Sequence, residues 1–166
     1  MNMGSPPVKR MSDTSGCSSR CVPKQSLTTG STIVQKSVID IFHDRNVPVI
    51  QNYGLTETGP VALYLRIDDA FSHVGSTGRG ALHTRFRIVD DEDRDVPAGQ
   101  SGELLLQGPN VLSEYWGDPA ATLEALQDGW FRTGDIGYCD TDGYVYIITT
   151  NTDGKAFPAP DDDKLL

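Results

Sequence analysis

Residues 47–60 read VPVIQNYGLTETGP, and the interpretation of the rest of the chain depends on this stretch. The apolar residues of 47–51 predict a short buried strand that ends at the turn Asn52-Tyr53-Gly54. The loop after it therefore lies at the carboxyl end of a strand, where open α/β sheets bind ligands. Its ring, glycine backbone, hydroxyl and carboxylate suit a purine, a phosphate oxygen and a divalent metal. Read alone, this loop could equally be a plain turn between two strands.

The residues upstream of this strand predict a helix. Four apolar residues recur at helical spacing on one face: Val34, Val38, Ile41 and Phe42. Thr32 is placed to cap this helix, with Gln35 three residues later as in a capping box, and the helix is expected to end near Asn46. A helix followed by a buried strand is the start of an α/β arrangement.

Downstream of residue 72 the pattern becomes that of β-strands. Apolar and basic residues alternate over 85–88, which predicts a half-buried strand, and 103–107 predicts a second one. The stretch 130–148 predicts a hairpin with Asp142-Gly143 at its turn. Neither half of the chain holds enough elements for a complete sheet, so exposed edges and apolar faces are expected.

One further helix is predicted between these strands. Asp118 followed by Pro119 is a typical start, with the aspartate as cap and the proline at the first helical position. Leu123 and Leu126 are then expected to face inward.

Composition narrows the class of protein. The net charge is −9 and the pI is about 4.6, which argues against a nucleic-acid or anionic-membrane surface. No secretory signal, transmembrane run or metal-binding cysteine pattern is visible, so a cytoplasmic protein with free thiols is expected. Residues 1–26 are rich in Ser, Pro, Lys and Arg and predict a disordered tail, and the patternless 149–166 predicts an unstructured tail.

A second candidate site lies in the hairpin, at Trp130-Phe131-Arg132-Thr133-Gly134-Asp135. A carboxylate after a Thr-Gly turn can accept hydrogen bonds from the two vicinal hydroxyls of a ribose. The alternative is that Asp135 only caps its own turn.

Together these motifs resemble a known family. Tyr53-Gly54-Leu55-Thr56-Glu57 matches the Tyr-Gly-x-Thr-Glu motif of the adenylate-forming superfamily, the AMP-dependent synthetases and ligases. Three further segments match in the same order: Gly75-Ser76-Thr77-Gly78-Arg79, Gly102-Glu103-Leu104 through Gly108, and the run from Tyr115-Trp116 to Thr133-Gly134-Asp135. The resemblance covers about 27–148 and is greatest to acyl-CoA synthetases. It implies a partial AMP-binding large domain of α/β to α+β class, in which the helix–strand end of an α/β subdomain precedes a β-rich, distorted-barrel-like subdomain.

The resemblance also implies roles for individual residues. Tyr53 would stack on adenine, Thr56 would bond the α-phosphate, Glu57 would help to hold Mg²⁺, Asp135 would bind the ribose hydroxyls, and Ile147 would pack near the nucleotide. Thr56 and Glu57 would thus be the catalytic residues. The other residues implied to contact the nucleotide or to line its pocket are Ser31, Thr32, Gln51, Asn52, Gly54 and Leu55.

The implied reaction uses ATP, Mg²⁺, a carboxylic acid and CoA. The carboxylate attacks the α-phosphorus of ATP, and the acyl-adenylate is then captured by the thiol of CoA. The chain departs from the family by lacking a credible phosphate loop, and by having Thr149-Thr150 where Gly-Arg is usual. Neither Lys155 nor Lys164 matches the catalytic lysine of the family's C-terminal domain. A fragment of an acyl-CoA synthetase, inactive alone, is therefore expected.

Two other hypotheses remain open. The chain can be a non-catalytic, degenerate relative that binds nucleotide or a protein partner. It can also be a chain that never folds stably and leaves apolar surface exposed.

Overall fold

The first of two sheets contains one parallel and two antiparallel strand pairs. The computed structural model describes residues 25–30 and 34–148. In this part the first sheet has the order β1 (Leu27–Thr29), β2 (Val49–Tyr53), β3 (Leu63–Tyr64) and β4 (Arg79–Gly80). β1 and β2 are parallel and are connected through the helix α1 (Lys36–His43), whereas the later pairs are antiparallel. The strand predicted at 47–51 is β2, and it runs two residues further than expected.

The helix α1 exists as predicted, but part of its apolar face is exposed. It begins after Gln35, whose side chain makes no capping bond, and the predicted cap Thr32 lies outside the described residues. Ile39 is the one residue of α1 that is buried, while two of the four apolar residues predicted to share a face are exposed: Val38 and Ile41. Helical spacing groups residues on one face, but it does not supply a partner for that face.

The second sheet is antiparallel and centres on a ten-residue strand. Its strands are β5 (Arg85–Val89), β6 (Ser101–Gln107), β7 (Leu126–Gln127), β8 (Trp130–Cys139) and β9 (Val145–Ile148). The order is β5-β6-β8-β7, and β9 pairs with the second half of β8. The strands predicted near 85–88 and 103–107 and the predicted hairpin are all present, and Gly143 takes a left-handed conformation in the hairpin turn.

The helix α2 (Pro119–Ala125) lies between β6 and β7. Asp118 caps it as predicted, because its Oδ1 accepts a hydrogen bond from the Ala121 N–H at 2.9 Å, with proline in the first turn. Leu123 is 75% exposed, however, and Leu126 is only half-buried. The inward orientation predicted for Leu123 is wrong, for the same reason as in α1.

The two sheets meet at Val145. Its carbonyl accepts hydrogen bonds from the Thr77 N–H, the Thr77 hydroxyl and the Ser76 hydroxyl, and its own N–H donates to the Gly78 carbonyl at 2.8 Å. Gly78 has φ +89°, and a Cβ there would lie 1.8 Å from the Tyr64 carbonyl oxygen. Only glycine permits this approach.

One apolar core joins both sheets. Its buried members are Ala62, Leu63, Ile88, Leu104, Leu106 and Val145. The architecture is mixed helix and strand with a curled half-barrel sheet, so the predicted α/β to α+β class is confirmed.

Some surface remains apolar and uncovered in this part of the chain. Trp116 is 96% exposed and Leu82 is 84% exposed. Neither helix in the described ranges is long and apolar enough to cross a membrane. The segments 1–24 and 149–166, where tails were predicted, lie outside the described residues.

Candidate functional site

Tyr53 and Asp135 come together although they are 82 residues apart. Tyr53 is the last residue of β2 in the first sheet, and Asp135 lies within β8 of the second. The Tyr53 hydroxyl donates to Asp135 Oδ2 at 2.6 Å. Burial, followed by this hydrogen bond, raises the pKa of Tyr53, so the phenol remains a proton donor at neutral pH. The site therefore forms where the two sheets meet.

A bulge in β8 directs Asp135 towards Tyr53. The register of β8 against β6 shifts here, so that Leu104 alone lies opposite the segment Thr133-Gly134-Asp135. The Thr133 hydroxyl donates to the Leu104 carbonyl at 2.7 Å and accepts from the Asp135 N–H at 3.1 Å, while Gly134 has φ +71°. Bulges of this kind re-aim side chains out of the regular alternation of a strand. The residues of the Thr-Gly-Asp motif thus form and stabilise the bulge.

A tight turn after β2 presents Thr56 and Glu57. The chain doubles back so closely that a Cβ on Gly54 would lie 2.8 Å from the Pro60 carbonyl oxygen. Residues Thr56–Thr58 form a single 3₁₀ turn, in which the buried Thr58 hydroxyl accepts from the Leu55 N–H at 2.9 Å. Thr56 is exposed and Glu57 is half-buried, so both side chains are accessible at this end of the first sheet.

A distant segment, 110–115, holds this turn. The Tyr115 hydroxyl donates to Glu57 Oε1 at 3.1 Å, and the Leu112 N–H donates to the Glu57 carbonyl at 2.7 Å. The Asn110 side chain donates to the Thr58 carbonyl at 2.6 Å. The sequence did not indicate a role for Asn110 or Tyr115. Tyr115 could have been noticed, because it begins the matching segment that ends at Asp135.

The other residues predicted to contact the nucleotide or line its pocket differ in their surroundings. The buried Gln51 amide donates to the Ser76 carbonyl at 3.3 Å, which ties it to the sheet junction. Asn52 Oδ1 is buried and accepts no hydrogen bond from any residue that the structure describes. Ile147 of β9 pairs with Gly137 of β8 and packs against the core. Predictions for Ser31 and Thr32 lie outside the described residues.

Charged groups around the site are few. In the described ranges, no three His, Cys, Asp or Glu side chains converge on a possible metal position, so Glu57 offers a single carboxylate. The nearby Arg132 is ion-paired with Asp93 at 2.6 Å and with Glu103, and the Asp93 hydrogen bond is the largest cause of its raised pKa. A groove of about 590 Å³ separates Tyr115 and α2 from Thr133 and Gly134.

Comparison with known proteins identifies related chains. A sequence model of the family described as AMP-binding enzyme matches residues 8–116. The indoleacetate–CoA ligase of Aromatoleum aromaticum is 50% identical over 121 residues, which are 73% of this chain and 24% of that protein.

Solved structures agree with this similarity. The o-succinylbenzoate CoA synthetase of Bacillus subtilis in complex with AMP superposes with a TM-score of 0.70 at 27% identity, over 78% of this chain and 27% of that chain. The same synthetase in complex with ATP and magnesium ion gives a TM-score of 0.70 at 25% identity, over 80% of this chain and 29% of that chain. The chain spans about a quarter of the length of these relatives.

Proposed function

The chain belongs to the AMP-binding enzyme family, and on that premise we propose that residues 27–148 form the adenosine-binding part of an AMP-forming acyl-CoA ligase. The single observation that carries this proposal is the meeting of Tyr53 and Asp135 across the sheet junction. In the proposed complex the Tyr53 ring contacts adenine and the Asp135 carboxylate accepts hydrogen bonds from the ribose hydroxyls. Ile147 contributes apolar packing nearby.

The donor and acceptor groups of the site suit adenosine. Asn52 Oδ1 is a buried acceptor without a partner among the described residues, and a donor such as the amino group of adenine would satisfy it. Asp135 Oδ2 already accepts from a hydroxyl, that of Tyr53, so its position is compatible with hydroxyl donors. A ribose hydroxyl can take over this oxygen when the nucleotide binds.

The proposed metal position also suits the residues present. Mg²⁺ is commonly bound by one or two carboxylates together with substrate phosphates, and Glu57 supplies one carboxylate. Bound there, Mg²⁺ would neutralise charge on the phosphates. Thr56 is exposed, and in the proposed complex its hydroxyl donates to an α-phosphate oxygen.

Activation of a carboxylic acid needs more than these groups. The transition state at the α-phosphorus gathers negative charge, which enzymes stabilise with cations and oriented donors. Arg132, which lines the groove beside Tyr115, is already neutralised by Asp93 and Glu103. We therefore expect this chain to bind AMP without forming acyl-adenylate alone. The similarity to an indoleacetate–CoA ligase favours an arylacetic acid as the substrate of the whole enzyme, with CoA as acceptor.

AMP binding to the 166-residue chain, measured by isothermal titration calorimetry, tests this proposal. Asp135→Ala should weaken binding at least about tenfold, because it removes charge-assisted hydrogen bonds to ribose. Asp91→Ala, which alters an exposed aspartate without contacts in the described ranges, is the matched control. Equal affinity in both variants, or no binding by the unaltered chain, would refute the proposal.

ATP–pyrophosphate exchange with indoleacetate addresses the expectation about activity. We expect exchange at background for the chain alone. Exchange above background that disappears in Asp135→Ala would show that this chain is sufficient for adenylation.

A further inference from the structure

The Glu57 carboxylate receives its hydrogen bond from a part of the chain 58 residues away. The donor is the Tyr115 hydroxyl, at 3.1 Å from Oε1. Within the part of the chain that the structure describes, this is the one hydrogen bond made by that carboxylate. The second oxygen, Oε2, accepts none there.

The segment that carries Tyr115 also holds the backbone of the turn. The Leu112 N–H donates to the Glu57 carbonyl at 2.7 Å, and the Asn110 amide donates to the next carbonyl, that of Thr58, at 2.6 Å. Asn110 is itself fixed, because its Oδ1 accepts from the Thr84 hydroxyl at 3.0 Å. Glu57 is therefore held at its backbone as well as at its side chain.

The start of α2 anchors Tyr115 in turn. The Tyr115 N–H donates to the Thr122 hydroxyl oxygen at 2.9 Å, and that hydroxyl donates to the Asp118 carbonyl at 2.8 Å. Burial, followed by the hydrogen bond to Glu57, raises the pKa of Tyr115, so the phenol is a proton donor at neutral pH. The cap of α2 thus sets where the Tyr115 backbone lies, and the ring reaches from there to Glu57.

We infer that Tyr115 is a positioning residue for Glu57: it occupies Oε1 and leaves Oε2 free for a divalent cation bound to nucleotide phosphates. This inference rests on the proposed function. A glutamate side chain loses conformational entropy when it is fixed in one rotamer. A supporting hydrogen bond fixes the rotamer before the cation binds, so that binding carries less of this entropy cost. Tyr115 itself touches neither cation nor nucleotide.

The first test is the affinity for ATP in Mg²⁺ and in EDTA. Tyr115→Phe should leave the affinity in EDTA within about twofold and reduce the gain produced by Mg²⁺ about three- to tenfold. Glu57→Gln should abolish the gain, and adding Tyr115→Phe to it should change nothing further. Tyr64→Phe, which alters an exposed tyrosine, is the matched control.

Two results of this test would overturn the inference. An equal loss of affinity with and without Mg²⁺ would mean that Tyr115 only supports the fold. Additive effects of Tyr115→Phe and Glu57→Gln would mean that the two residues act independently.

The second test needs no nucleotide. In a chain with ¹³C-labelled tyrosine rings, the Tyr115 signal is assigned by its loss in Tyr115→Phe, and its chemical shift is recorded by NMR at neutral pH. Glu57→Gln should move this signal, because it changes the group that accepts the hydrogen bond from the Tyr115 hydroxyl. An unmoved signal would overturn the inference. If the unaltered chain binds no nucleotide, the proposed function fails; if it binds nucleotide and the Tyr115 signal does not move, only the inference fails.

Discussion

The two carboxylates of the site are held in place in different ways. Asp135 is set by a bulge in its own strand, where Thr133, two residues away, bonds the Asp135 N–H. Glu57 is held from outside its own segment, by Tyr115, which precedes the helix α2 in the second half of the chain. A local device depends on few contacts, whereas a remote one depends on the packing of both halves. A substitution in the bulge should therefore affect Asp135 and leave Glu57 unchanged, and a substitution at Tyr115 should do the reverse.

The largest effect is expected at the junction around Val145, where the two sheets that carry the two carboxylates are joined. Gly78→Ala puts a Cβ 1.8 Å from the Tyr64 carbonyl oxygen at a left-handed backbone, which should cost roughly 3 kcal/mol or more. Gly75→Ala has a similar φ of +84° but no atom within 4 Å of its Cβ, and should cost about 1 kcal/mol. Urea unfolding followed by circular dichroism measures both. Equal losses would mean that the junction does not hold the halves together.

An intermediate effect is expected in the bulge. Thr133→Val removes the hydrogen bonds to the Leu104 carbonyl and from the Asp135 N–H, and should cost about 1–2 kcal/mol of unfolding free energy. It should also weaken AMP binding, which Tyr115→Phe should not. The exposed Thr141, changed to Val, is the control. If Thr133→Val left AMP binding unchanged, Asp135 would not depend on the bulge.

A smaller effect is expected from the contact that links the two sheets. Tyr53→Phe keeps the ring but frees Asp135, so AMP no longer has to displace a hydroxyl and should bind about two- to tenfold more tightly. The gain should vanish with 2′,3′-dideoxy-AMP. Calorimetric titration of both ligands is the measurement. Weaker AMP binding would mean that the Tyr53 hydroxyl assists the nucleotide instead of competing with it.

The smallest effect is expected from pH, through His43, which is hydrogen-bonded to β2 of the first sheet. Burial lowers the pKa of His43, whose Nε2 accepts from the Val49 N–H at 3.3 Å. The folded state favours the neutral ring. The contribution of His43 to the free energy of unfolding is therefore complete above the ordinary pKa of about 6.5, and it is lost as the pH falls through the lowered pKa. The loss should be below about 1 kcal/mol. Hydrogen exchange at the Val49 amide, corrected for intrinsic rates, should rise between about pH 7 and pH 5 while the Asp135 amide changes less. Equal changes would contradict this separation.

Local signals in the sequence predicted the second sheet well. The alternation at 85–88, the Asp-Gly hairpin turn and the Asp118 cap each involve neighbouring residues, and each is present. The strands of two or three residues, β1, β3, β4 and β7, were not predicted, because such lengths are too short to show a period.

Non-local geometry was the part that sequence could not supply. Motifs marked Tyr53, Glu57 and Asp135, but not the contact between Tyr53 and Asp135 or the donation from Tyr115. Each of these depends on how two sheets dock. Likewise, the period of α1 grouped Val38 and Ile41 correctly on one face without showing that this face is uncovered.

The hydrogen bonds around Val145 also bear on how the chain is synthesised. Ser76, Thr77 and Gly78 emerge from the ribosome well before the residue that satisfies them. At typical elongation rates the interval is on the order of several seconds. During that time the first sheet has an open edge, and its partner strand does not yet exist. Chaperones that shield nascent strands would therefore act on the first half of this chain, and release would follow synthesis of β9.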